Sequence, residues 1–195
     1  MVTTDQVKEL RNATGVSVMQ CKKALLEAGG DKEKALLILK KKSRDIADKK
    51  SGRTLGAGTV AAYIHSSGTI GAMVELLSET DFVAKNEEFK KIAYDIAMHI
   101  AATNPEYLKT DDIPARALSA AREMFEKEVD SQGKKDPAIR GKILQGKLDA
   151  YFGERVLMSQ TFVKNEDLTI AGLIDGAIQK FGEKIEIAHF ARFSV

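Results

Sequence analysis

Hydrophobic and polar positions change period several times along this chain, and each change marks an element. Val7, Leu10 and Thr14, framed by Thr3 and Gln6 at capping-box spacing, predict a short helix that stops at Gly15. Ser17 and Gln20 repeat that spacing, and Met19, Ala24, Leu25 and Ala28 continue a second helix closed by Gly29-Gly30. Asp31 is placed to cap a third helix carrying Ala35, Leu36, Leu39 and Ile46. The three make a small helical module over residues 1–50, and the stretch 51–58, rich in Gly, reads as a linker.

Past the linker the period becomes two. Val60, Ala62 and Ile64 alternate with Thr59, Ala61, Tyr63 and His65; after Ser66-Ser67-Gly68 the alternation resumes at Ile70, Ala72, Val74 and Leu76, the pattern of a β-hairpin. The second face is not very polar either, since it carries Tyr63, Met73 and Leu77. Helices can cover one face, which leaves the other for a partner or a second copy of the chain.

Thr80-Asp81-Phe82-Val83-Ala84-Lys85-Asn86-Glu87-Glu88 is then expected as a strand-to-helix loop. Asn86 is a fit N-cap for a helix whose apolar stripe runs Phe89, Ile92, Ala93, Ile96, Ala97, Ile100, Ala101. Pro114 and Asp136-Pro137 open two further helices, which form an antiparallel hairpin at about 114–151, joined through Ser131-Gln132-Gly133. Val156 to Val163 is short and apolar, Lys164 to Asp167 is a turn, and Thr169 caps a last helix closed by Gly182.

In the final run Ile185 and Ile187 alternate with their neighbours before Phe190 and Phe193 break the period, which calls for a bulge or for burial on both sides. Having no other strand nearby in sequence, it is expected to join the hairpin as a third strand. The fold class is α+β: a three-helix module, a linker, and a core over 59–195 with a three-stranded antiparallel sheet, packing helices and a helical hairpin.

Composition narrows the classes. A chain of 195 residues that is 44% hydrophobic and 30% charged can bury a real core, which argues against disorder. Thirty Lys and Arg against 28 Asp and Glu leave a net charge of +2, too little for a bulk field that would drive the chain onto nucleic acid or an anionic membrane. A local basic run does exist, Lys40, Lys41, Lys42, Arg44, Lys49, Lys50 and Arg53. It reads either as a solvated helix face or as an RNA site, although no interleaved aromatics offer bases a stacking surface. The start lacks the basic and apolar parts of a signal peptide and no apolar run approaches a membrane span, so a cytoplasmic location is expected. Asn12-Ala13-Thr14 matches a glycosylation sequon, but it falls in a helical pattern without a secretion signal.

Candidate chemistry is sparse. Gly56-Ala57-Gly58-Thr59-Val60-Ala61 imitates a dinucleotide fingerprint, yet it precedes a strand and opens no helix. Walker A, His-Glu-x-x-His and nucleophile-elbow patterns are lacking, and Ser131 with Lys134 matches Ser-x-x-Lys only as chance supplies it. His65, His99 and His189 lie far apart in regular elements, and Cys21, beside Lys22 and Lys23, can form no internal disulfide and no zinc site. Neither an enzyme, nor a metal site, nor a cofactor is expected. The best functional surface is the Thr80 stretch, where an acid and a large aromatic stand side by side. Two readings stay open on the residues alone: Asp81 and Phe82 await a receiver, or Asp81 caps a turn and Phe82 folds into the core.

The order of these features resembles a known family. Thr14-Gly15-Val16-Ser17-Val18-Met19-Gln20-Cys21-Lys22-Lys23-Ala24-Leu25, then Ala28-Gly29-Gly30-Asp31, then Thr80-Asp81-Phe82-Val83-Ala84-Lys85-Asn86, Phe181-Gly182-Glu183-Lys184-Ile185 and the Arg192-Phe193 ending are similar to elongation factor Ts over almost the whole chain. The resemblance implies a guanine-nucleotide exchange factor for elongation factor Tu (EF-Tu). It implies that the first module is ubiquitin-associated (UBA)-like and docks on the partner's G domain, with Arg11, Val18, Met19 and Lys22 matching the docking positions. It further implies that Thr80, Asp81, Phe82 and Val83 enter the partner near the nucleotide's Mg²⁺ site. Some members of that family have a duplicated core; this chain has a single copy, so a homodimer through the three-stranded sheet is expected. A UBA-type adaptor and an RNA-binding protein are the competing expectations.

Overall fold

The structure, a computed structural model, describes residues 2–50, 52–131 and 136–195. The Gln132-Gly133 joint, Lys134 and the start of the linker at Ser51 lie outside the described residues. The expected α+β class is observed; the stretch from Lys164 to Asp167, read as a turn, instead runs into a strand.

The chain opens with α1 (Thr4–Thr14), α2 (Val18–Glu27) and α3 (Lys32–Lys50). The Thr3/Gln6 capping box forms, Ser17 accepts from the Gln20 N–H, and Gly15 closes α1 at φ 68°, a conformation that glycine adopts without a side-chain clash. Val7, Leu10, Val16, Cys21, Ala24, Leu25, Ala35 and Leu39 bury one another in a core of their own. The third helix outruns that core. Ser43 donates to Gln179 Oε1 at 2.7 Å, and Ile46 packs on the main core, so the distal half of α3 seats the module against the rest of the chain.

The strands β1 (Ala57–Ile64) and β2 (Ile70–Ser78) form the expected hairpin, the first strand taking in the last two residues of the stretch read as linker. After α4 (Asp81–Ala84) and α5 (Glu87–Thr103) come the hairpin helices α6 (Ala115–Ser131) and α7 (Pro137–Gly153). They bury Ala121, Leu148, Phe152 and Val156 in a third, smaller cluster. A two-residue strand β3 (Thr161–Phe162) and β4 (Asn165–Thr169) then lead into α8 (Ile170–Phe181), capped by Thr169 and closed by Gly182 at φ 69°.

The last strand, β5 (Ile185–Ser194), adds antiparallel to β2 and makes the sheet order β1-β2-β5. Glu75 faces His189 while Leu76 faces Ile187, which leaves Ala188 as the extra residue of a bulge. That bulge turns Phe190 to the inner face, opposite Val74, and puts Phe193, which keeps the spacing of Ile185 and Ile187, on the outer face opposite Gly71. One face of the sheet buries Ala72, Val74, Leu76, Ile185 and Ile187 against α5 and α8, with Phe89 set edge-on to Phe181 at 5.9 Å. The other face leaves Val60, Ile64, Met73 and Phe193 exposed.

A polar pin crosses this core. The Val163 N–H donates to His99 Nδ1 at 3.3 Å, so that nitrogen is the acceptor and Nε2–H donates to Gln160 Oε1 at 2.9 Å. Gln160 in turn donates to the Glu154 carbonyl at 2.6 Å. The imidazole is fully buried, and burial pushes its pKa down, with the Gln160 bond opposing the shift only in part.

Candidate functional site

The stretch after β2 is not an open loop. Asp81 to Ala84 close a single helical turn, because Val83 and Ala84 must swing inward to join the core and the Ala84 N–H then meets the Thr80 carbonyl at 3.2 Å. The Asn86 side chain accepts from the Glu88 N–H at 2.9 Å and starts the next helix, as its cap position predicts. The turn is therefore held between the end of β2 and the start of α5.

Those anchors decide what faces solvent. Phe82 is 81% exposed at the crest of the turn, while Val83, next to it, is 4% exposed and belongs to the main core. Of the two readings left open by the sequence, the packing of Phe82 into the core is not observed: its side chain faces water. Asp81 is exposed, and the Lys85 ammonium at 2.5 Å holds its carboxyl below the usual carboxylate range. The four residues thus divide: Thr80, Asp81 and Phe82 face solvent, and Val83 supports them from below.

Behind the turn stands a charged cluster. Glu183 accepts from both the backbone N–H and the hydroxyl of Thr80, at 3.0 and 2.5 Å. Glu79 accepts from the Lys184 N–H at 2.5 Å and from Arg53 at 2.7 Å, with the Lys50 ammonium at 3.8 Å. Burial pushes the Glu79 carboxyl up, but the Lys184 N–H and the two cations outweigh it and leave it below its ordinary value.

The second group of candidates lies around the junction of α1 and α2. Arg11, Val18, Met19 and Lys22 are all exposed, Met19 to 83%. Arg11 is also within electrostatic reach of the start of α5: the Glu88 carboxyl is held below its ordinary value first by Lys180, at 2.7 Å, and further by the charge of Arg11. Cys21 is buried, and burial pushes its thiol up, the opposite of what a nucleophile needs. Among the described residues, no group of three or more His, Cys, Asp and Glu could hold a metal ion, and no helix is long and apolar enough to cross a membrane.

With this geometry in view, a family model described as "Elongation factor TS" matches residues 44–195. The chain belongs to the elongation factor Ts family. It is 47% identical to an elongation factor Ts of Syntrophus aciditrophicus, over the full chain and 96% of that relative. Identity is 46% to that of Carboxydothermus hydrogenoformans, over the full chain and 89% of the relative, and 43% to that of Herpetosiphon aurantiacus, over the full chain and 98% of the relative. The family places the chain among translation elongation factors.

Sequence reasoning missed Glu79 and Glu183. Nothing local could find them, because the backbone N–H groups they hold lie 103 to 105 positions away along the chain. The one signal present was the Glu-Thr and Glu-Lys pairs at the ends of two runs read as strands, which only sheet pairing brings together.

Proposed function

We propose that this chain is the guanine-nucleotide exchange factor of elongation factor Tu, and that Asp81 and Phe82 act as a wedge at the partner's Mg²⁺ and phosphate site. The observation that carries the reading is Phe82: a large aromatic held in water on a one-turn helix whose next two residues are buried. Exposed aromatics on rigid supports are the usual anchors of protein interfaces. Phe82 supplies bulk that displaces the elements around the partner's metal. Asp81 brings a carboxylate whose present partner, the exposed Lys85, is held weakly enough to be given up on docking. Thr80 and Val83 frame the pair from the surface and from the core.

GDP is held by Mg²⁺ and by backbone donors around its phosphates, so moving the metal's surroundings loosens much of that hold together. No covalent step is required. The factor and the nucleotide weaken each other reciprocally, and a rate gain of about 10⁴ corresponds to a barrier lowered by about 5.5 kcal/mol. The first module, UBA-like in its three helices and separate core, docks on the G domain through Arg11, Val18, Met19 and Lys22. The core assembles as a homodimer through the exposed sheet face of Val60, Ile64, Met73 and Phe193. Three of the seven basic residues from Lys40 to Arg53 are engaged by Glu27 and Glu79, which favours the solvated-face reading of that run over RNA binding.

Release of a fluorescent GDP from elongation factor Tu, with and without this protein at micromolar concentration, tests the proposal. Acceleration is expected; release at the unassisted rate contradicts exchange and leaves the adaptor reading.

A further inference from the structure

The wedge turn is too short to hold its own direction. A helix of one turn gains few internal hydrogen bonds for the backbone it fixes, so its orientation is set by what grips its ends. One end is clear: Val83 and Ala84 are buried, and Asn86 caps the helix that follows. The other end is held in an unusual way.

The backbone ladder between β2 and β5 ends with Ser78 opposite Ile185. Beyond it the chains diverge, one into the wedge turn and the other back toward Gly182. Two carboxylates then continue the pairing crosswise. Glu79 takes the N–H of Lys184, and Glu183 takes the N–H of Thr80, so each acid grips the residue that follows the other acid. Thr80 sits at the N-cap of the turn, where a threonine hydroxyl ordinarily accepts from the helix N–H groups. Here it makes no such cap bond and donates to Glu183 instead, which ties the root of the wedge to the α8–β5 junction. Ser78 adds a bond from its hydroxyl to the Thr80 carbonyl at 3.0 Å. Glu79 also gathers Arg53 and Lys50, and Lys50 donates to the Gly182 carbonyl, so the end of α3 meets the same knot.

We propose that Glu183 and Glu79 are positioning residues for nucleotide exchange: their crossed clasp between 79–80 and 183–184 fixes the direction in which Phe82 projects, and serves the release step rather than docking. The inference rests on the exchange reading above. A wedge works only if its bulk arrives where the partner must move, and a small misdirection at the root is magnified at the tip of a phenylalanine. Neither glutamate needs to touch the partner.

Three variants separate the outcomes: Glu183→Ala, Glu183→Gln and Phe82→Ala. In the free protein, the Thr80 amide of Glu183→Ala is expected to exchange its hydrogen about tenfold faster, with the amides of β2 and β5 still protected. With elongation factor Tu, Glu183→Ala is expected to lower the saturating GDP-release rate about tenfold while the half-saturating concentration stays within about twofold. Glu183→Gln keeps an oxygen for the Thr80 N–H and is expected to recover most of that rate. Unchanged Thr80 exchange, or a wild-type release rate in Glu183→Ala while Phe82→Ala is slow, overturns the clasp. So does a general loss of protection through β2 and β5, which assigns Glu183 to the stability of the sheet. If Phe82→Ala itself releases GDP at the wild-type rate, the wedge reading fails first and the clasp falls with it.

Discussion

Phe82 and Val83 are neighbours in sequence with opposite environments, and the difference predicts opposite consequences. Val83→Ala removes methyl groups from the main core and is expected to cost about 1.5–3 kcal/mol in denaturant unfolding. Asp81→Asn changes an exposed side chain whose ion pair is with the equally exposed Lys85 and is expected to leave stability within about 0.5 kcal/mol. If Val83→Ala proves neutral, the turn is not anchored as described. The sequence shows the acid and the aromatic but not the turn, because the pull that winds residues 81–84 into a helix comes from the burial of Val83 and Ala84 against the rest of the chain, a tertiary feature. Glu183 was invisible for a related reason: its role depends on Thr80 lying beside it across the end of the sheet.

At the scale of elements, the polar pin of His99 sets a pH dependence. The folded state holds this imidazole neutral, with its pKa below the ordinary value of about 6.5, whereas the unfolded chain binds the proton freely. The unfolded state therefore takes up more protons in that window, and stability falls as pH drops from about 6.5 toward the lower folded-state pKa. Thermal unfolding between pH 7 and 5 is expected to show the decline. His99→Leu removes the side-chain acceptor of the Val163 N–H and one of the donors to Gln160 Oε1, and is expected to lose about 1–3 kcal/mol at pH 7 together with this part of the pH slope. An unchanged slope in the variant assigns the decline to other groups. The elements themselves were largely legible: caps at Thr3, Ser17, Asp31, Asn86, Asp136 and Thr169 stand where side-chain spacing places them. The extension of α3 onto α8 was not, since the Ser43–Gln179 contact joins residues 136 positions apart.

For the whole molecule, the open question is what covers the outer face of the sheet. Val60, Ile64, Met73 and Phe193, the last 70% exposed, stand on one side of three strands whose other side is packed by helices. A second copy of the chain is the proposed cover, and sedimentation at tens of micromolar is expected to give a dimer. Val60→Asp with Met73→Glu is expected to give a folded monomer; a wild-type protein that sediments as a monomer contradicts this assembly. The alternation from Thr59 to Leu77 already showed that both faces were more apolar than water alone requires.

If a rigidly rooted Phe82 drives nucleotide release, the saturating rate of GDP release from elongation factor Tu falls with Phe82→Ala. A rate about tenfold or more below wild type is expected, with the thermal midpoint unchanged because the side chain lies outside the core. A wild-type rate from a folded Phe82→Ala protein contradicts it.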